Sequence, residues 1–168
     1  MSHDLLRAYD YVNHSYPQVR RVLLEDARGL FQRATMVATS RAAALRANLH
    51  AHFGPLDLSA EVEIRVTSVE ERESPLGGTA THVALEWKAV KHPGAFPVMH
   101  ATLAFYALTE WETQLELEGA YEPPLGLLGK AVDAVIGRRV ADASVLRFIQ
   151  EVAARLREEL GAPLAPAG

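Results

Sequence analysis

Hydrophobic and polar positions along this chain keep two different rhythms. In the middle they alternate singly. Leu58, Ala60, Val62, Ile64 and Val66 alternate with Glu61, Glu63 and Arg65, and Val83, Leu85, Trp87 and Ala89 with His82, Glu86 and Lys88. Met99, Ala101, Leu103 and Phe105 then alternate with His100, Thr102 and Tyr106, and Trp111, Thr113, Leu115, Leu117 and Gly119 with Glu112, Gln114, Glu116 and Glu118. A period of two places each apolar set on one face of a strand. Turn residues punctuate the runs: Gly54-Pro55, Pro75 to Gly78, His92 to Gly94, and a tight turn near Thr109-Glu110. Four or five strands with one wet face predict an antiparallel meander whose outer face is strongly acidic.

From Leu125 to Leu160 the rhythm becomes helical. Pro123-Pro124 ends the last strand, since proline gives no ladder donor. Leu128, Val132, Val135, Arg139, Asp142, Leu146, Ile149, Ala153, Leu156 and Leu160 then follow at steps of three and four. The stripe is apolar at both ends and charged in the middle. Its mean step of about 3.5 is shorter than that of a straight helix, so the helix is expected to curve around one partner. The only apolar surface of matching length is the inner face of the sheet. The prediction is an α+β fold in which a curved antiparallel sheet wraps a long C-terminal helix.

The N-terminal third is read less directly. Arg7 to His14 forms a short strand candidate whose inward face alternation does not decide. Ser15 precedes a short helix from Pro17 to Asp26, with Val19, Val22 and Leu23 as its apolar face and proline in its first turn. Gly29 ends that helix or turns it into a second short one around Leu30-Phe31. Thr39 to Phe53 fits either state. Ser40 and the alanines after it favour helix, whereas Leu45, Ala47, Leu49, Ala51 and Phe53 alternate with Arg46, Asn48, His50 and His52. A strand from about Leu45 is expected, because the next segment wants a hairpin partner.

Composition narrows the class. The chain has 168 residues, 49% of them apolar and 23% charged, which suits one globular domain with a sizeable core. A single domain over residues 1–160 is expected, with 161–168 as a disordered tail. The net charge of −4 disfavours a nucleic-acid partner. The absence of cysteine removes disulfides, thiolate metal sites and a cysteine nucleophile. The opening residues lack the basic start and apolar run of a signal peptide, and no stretch is long enough to insert stably in a bilayer, so a cytoplasmic protein is expected.

The order of elements resembles that of the SRPBCC superfamily, the helix-grip fold of START lipid-transfer domains, pollen-allergen-type proteins and polyketide cyclases. The stretch from Thr113 to Asp142 is similar to the family's last strand, turn and long C-terminal helix, and Tyr11 to Val19 to its first strand and proline-started helix. These motifs specify a fold and no chemistry. The resemblance implies a deep cavity between sheet and helix, holding lipids, polyketides or similar apolar molecules.

On that frame, Phe53, Leu85, Trp87, Met99, Leu103, Phe105, Trp111 and Leu117 face inward by alternation, and Val135 faces them from the helix. Trp87, Met99, Leu103, Phe105, Trp111 and Val135 are the candidate apolar lining, because aromatics and methionine bury large area and adapt in shape. The plain alternative is that they only fill the core. Arg139 and Asp142 lie one turn apart in the same stripe. Either they anchor a ligand carboxylate or carbonyl, or they form a structural pair. Tyr9, Tyr11, Asn13 and Tyr121 are weaker polar candidates. His50, His52, His82 and His100 fall on polar faces without a zinc pattern, and no HExxH, GxSxG or phosphate loop occurs, so neither metal nor cofactor is expected. Three functions fit: binding or transport of a small hydrophobic molecule, a cyclase or dehydratase acting in the same cavity, or a protein-interaction module using the outer face of the sheet.

Overall fold

A computed structural model describes the backbone of residues 4–50, 62–89, 98–122 and 131–163, and the side chains of residues 5–38, 63–88, 99–120 and 142–163. Strand β1 (Asp4–Val12) leads into helix α1 (Tyr16–His50). Strands β2 (Val62–Glu73), β3 (Thr79–Ala89), β4 (Val98–Ala107) and β5 (Thr113–Glu122) follow, then helix α2 (Ala131–Leu160). The five strands form one antiparallel sheet in the order β1-β5-β4-β3-β2, a curved sheet gripped by two helices.

Local chemistry sets most of the boundaries. Gln18 ties back the start of α1: its Oε1 accepts the Ser15 N–H at 3.1 Å and the Ser15 hydroxyl at 3.0 Å, while the Ser15 carbonyl accepts the Gln18 N–H at 3.0 Å. The β2–β3 turn places Gly77 and Gly78 at φ 88° and 78°, a region that side chains rarely adopt. The Ser74 N–H closes that turn on the Gly78 carbonyl at 2.9 Å. Helix α2 ends at Gly161, φ 73°, whose N–H returns to the Arg157 carbonyl at 3.0 Å.

Two expectations for the N-terminal third are corrected. The helical stretch does not divide at Gly29. It kinks at Asp26, where the backbone turns to φ −151° and ψ 54°, and the Asp26 carboxylate caps the second segment by accepting the Gly29 N–H at 3.0 Å. That second segment is not a short helix either, since it stays helical through His50. The strand expected from Leu45 is therefore absent up to that residue. Alanine-rich propensity outweighs the alternation, and the hairpin partner sought for β2 is β3. Phe53, the start of the expected strand at Leu58 to Ala60, and Pro123-Pro124 lie outside the described residues.

The core lies between the concave face of the sheet and both helices. From the strands it takes Leu6, Ala8, Val12, Ile64, Val83, Leu85, Trp87, Leu103, Phe105, Leu115 and Leu117. Helix α1 adds Val19, Leu23, Leu30, Phe31, Ala34 and Ala38, and α2 adds Val145, Phe148, Ile149, Val152, Ala153 and Leu156. The inward faces of β3 and β4, and of β5 from Thr113 onward, agree with the alternation. The α2 stripe is rotated from its expected position: Asp142 and Leu146 are exposed, while Val145, Phe148 and Val152 carry the contact.

Candidate functional site

The inward rungs of the sheet run across it in register. Ile64, Trp87 and Met99 share one rung, and the next carries Val66, Leu85, Ala101, Gly119 and Leu6. Val83, Leu103, Leu117 and Ala8 follow, then Thr81, Phe105, Leu115 and Asp10. Large side chains fill most of these positions. Ala101 and Gly119, directly opposite each other on neighbouring strands, do not. A Cβ on Gly119 would stand 3.0 Å from the Ala101 Cβ and 3.2 Å from the His100 carbonyl, so a side chain there would have to push its neighbours apart. Ala101 and Gly119 form the smallest neighbouring pair on the inward rungs.

The helices cover these rungs unevenly. Phe31 of α1 packs against Phe105 of β4 and Phe148 of α2, with ring centres 6.4 and 6.2 Å apart. Phe148 also meets Trp87 edge to face at 5.0 Å and 88°. Under this aromatic cluster Leu103, Phe105, Leu115 and Leu117 are sealed at 0% exposure. Towards the other end Met99 is only partly buried and Trp87 and Ala101 are each 7% exposed, beside Ile64, Leu85 and Leu6 at 2% on the same rungs. The Trp87 indole is held by a hydrogen bond from Nε1 to the Thr35 Oγ1 of α1 at 3.1 Å. That bond satisfies both buried groups and fixes the ring across the sheet.

The expected site residues thus separate. Trp87, Met99, Leu103 and Phe105 share the concave face, Phe105 at the sealed end and Met99 and Trp87 towards the other. Trp111 is not among them. It precedes β5 in the β4–β5 turn and is 48% exposed, because the alternation of that strand starts only at Thr113. Asp142 is exposed. The side chains of Val135, Arg139 and Tyr121 lie outside the described residues, as do those of His50 and His52. Tyr9, Tyr11 and Asn13 are exposed on the outer side of β1 and its end, away from the concave face. Thr35, Phe31, Phe148, Ala101 and Gly119 were not singled out by sequence as site residues. Phe148 stands next to the expected stripe, and the small pair on β4 and β5 had an inward assignment without a reason to matter.

The convex face carries a separate polar group. The Tyr106 hydroxyl donates to Glu116 at 2.8 Å beside buried Ala80 and Ala104. Burial, then the hydrogen bond and charge of Glu116, pushes the phenol up to about 12. His82 lies partly buried nearby, and desolvation holds its imidazole below its ordinary pKa. Among the described residues no group of three histidine or carboxylate side chains is placed to hold a metal ion.

A curved antiparallel sheet gripping a long C-terminal helix is the helix-grip arrangement, and the chain is a protein of that fold. The chain matches no family model and no curated protein. Among solved structures, the Zhui aromatase/cyclase from Streptomyces sp. R1128 superposes with a TM-score of 0.51 at 11% identity, over 96% of this chain and 98% of that one. A START superfamily protein from Mycobacterium smegmatis gives 0.43 at 10% identity, over 94% and 99%. The di-domain ARO/CYC BexL from the BE-7585A biosynthetic pathway gives 0.43 at 12% identity, over 95% of this chain and 51% of that one. The fold assignment rests on the first of these and on the topology itself. The resemblance to the SRPBCC superfamily holds at the level of fold.

Proposed function

We propose that this protein binds a small apolar molecule between the concave face of the sheet and α2, at the end lined by Trp87, Met99 and Ala101. The observation that carries this reading is the gradient of cover along the concave face. One end is closed by the Phe31–Phe105–Phe148 cluster. At the other, Met99 is only partly buried, and Trp87 and Ala101, the latter paired with Gly119, each keep 7% exposure. An apolar guest there replaces water against aromatic and thioether surface, at about 25 cal/mol for each Å² covered. Leu103 continues the floor, and Phe105 belongs to the closed wall.

The test is native mass spectrometry of the purified protein, followed by denaturing extraction of any molecule carried along. The expected result is a bound apolar compound that is lost in Met99→Trp and in Ala101→Leu, with the fold retained by circular dichroism. A clean mass for the unliganded chain, with no uptake from a panel of lipids and polyphenols, overturns the proposal.

A further inference from the structure

We propose that β1 is a self-association edge, through which two copies of this chain pair antiparallel around a two-fold axis at Ala8. Among the described residues strand β1 hydrogen-bonds to β5 alone and so is one edge of the sheet; β2 is the other. The β2 edge is guarded. Its Ile64 N–H is taken by the Gln32 side chain at 3.3 Å, a bulge interrupts it between Val66 and Ser68, and its end is the charged run Glu70 to Glu73. Such devices block strand addition. Across Asp4–Val12, β1 has neither proline nor a bulge.

The free side of β1 is identified by Tyr11. Its N–H goes to the Asp10 Oδ1 at 2.8 Å and its carbonyl accepts from Arg157 at 2.6 Å, both outside the ladder. Backbone groups of alternate residues point the same way, so Leu5, Arg7 and Tyr9 also face away from β5. Among the described residues β5 is the only strand that pairs with β1, so the opposite side of those three has no ladder partner. Asp10 and Arg157 therefore cap only the far end of the edge.

The side chains select a second copy as the occupant. Leu5, Tyr9 and Tyr11 are exposed at 55, 51 and 48%, and they lie with Arg7 on the outer side of β1. Pairing about Ala8 sets Leu5 opposite the other copy's Tyr11 and Arg7 opposite its Tyr9. This gives an apolar pair and a contact between an aromatic ring and the Arg7 guanidinium, which also pairs with Glu118 of β5 at 2.6 Å, each formed twice by symmetry. Arg7 and Tyr9 supply backbone groups to the new ladder, and the Tyr11 carbonyl keeps a second lone pair for the partner's Leu5 N–H. Pairing about Arg7 instead would set two arginines face to face. The register about Ala8 is thus self-complementary without a like-charge contact. This inference stands apart from the proposed ligand site, which lies on the opposite face of the sheet.

The test is sedimentation equilibrium from low micromolar to submillimolar protein, with circular dichroism as a check on folding. The wild-type chain is expected to pass from monomer to dimer. Tyr9→Lys sets a second cation against Arg7 and is expected to weaken the dimer about tenfold or more, since the axis counts the change twice, whereas Tyr9→Glu keeps or strengthens it. The chain has no cysteine, so Leu5→Cys and Tyr11→Cys can be mixed and oxidised: the mixture is expected to cross-link while neither variant does so alone. A monomer at every concentration overturns the proposal. So does a dimer whose mixed cysteine variants fail to cross-link, or one indifferent to Tyr9→Lys.

Discussion

Asp26 shows how one side chain shapes the region above the sheet. Its carboxylate caps the second segment of α1, and a Cβ on Gly29 would meet that carboxylate at 2.2 to 2.8 Å. Asp26→Ala is expected to lower stability by about 1 kcal/mol in urea titration. Gly29→Ala, although it favours helix intrinsically, is expected to destabilise as well because it displaces the cap. Tyr106 makes a prediction in pH. Its folded pKa of about 12 exceeds the ordinary 10, so the folded chain resists a deprotonation that the unfolded chain undergoes. That contribution is complete below the ordinary value and is lost as the pH rises towards the folded one. Tyr106→Phe should flatten the alkaline fall in stability across that window, and an unchanged slope would assign the fall to other groups. His82 acts at the acid side. Its pKa is depressed by burial, so the unfolded chain takes up a proton at the ordinary value of 6.5 while the folded chain does not. Stability falls as the pH drops below that value, and His82→Gln is expected to reduce the loss.

Among the elements, the strands were legible and the helices only in part. Alternation reads a strand directly because its period matches the pleat, so the inward positions Val83, Leu85, Trp87, Leu103, Phe105, Leu115 and Leu117 were available from sequence. Trp111 misled because the alternation ran back through a turn, where it no longer has structural meaning. Helix α2 is legible as a helix, and Ile149, Ala153 and Leu156 of its expected stripe are buried. Asp142 and Leu146 are exposed, however, and the contact turns towards Val145, Phe148 and Val152. A stripe of steps of three and four has near neighbours that satisfy the same spacing, and Phe148 decides between them by filling the space between Trp87 and Phe31. Phe148→Ala is accordingly expected to cost about 3–5 kcal/mol, and Leu146→Ala, in the originally expected stripe, within about 0.5 kcal/mol. Similar costs for the two would contradict the observed rotation. The Thr35–Trp87 bond ties α1 to β3, and no local pattern announces such a pairing across 52 positions. Thr35→Val leaves the indole N–H buried without an acceptor and is expected to cost about 1–3 kcal/mol.

For the molecule as a whole, the helix-grip fold could be read from element order, whereas the site could be read only as a face. Sequence periodicity says which residues point inward. It does not say where two helices close over them, and that closure separates a packed core from a receptive one. The small pair Ala101 and Gly119 illustrates the difference, since small residues look unremarkable in a pattern and acquire meaning only when their neighbours are known to be large. No helix among the described residues is long and apolar enough to cross a membrane. The chain holds two tryptophans in opposite surroundings: Trp87, 7% exposed beneath Phe148, and Trp111, 48% exposed at a turn. A shielded indole emits at shorter wavelength than a hydrated one, so the intrinsic fluorescence of this protein is the sum of an inner and an outer reporter. Trp111→Phe removes the outer signal at a surface position and leaves emission from Trp87 alone. The guest proposed beside Met99 is then expected to register as a change in wavelength or intensity of a single native chromophore, without any label.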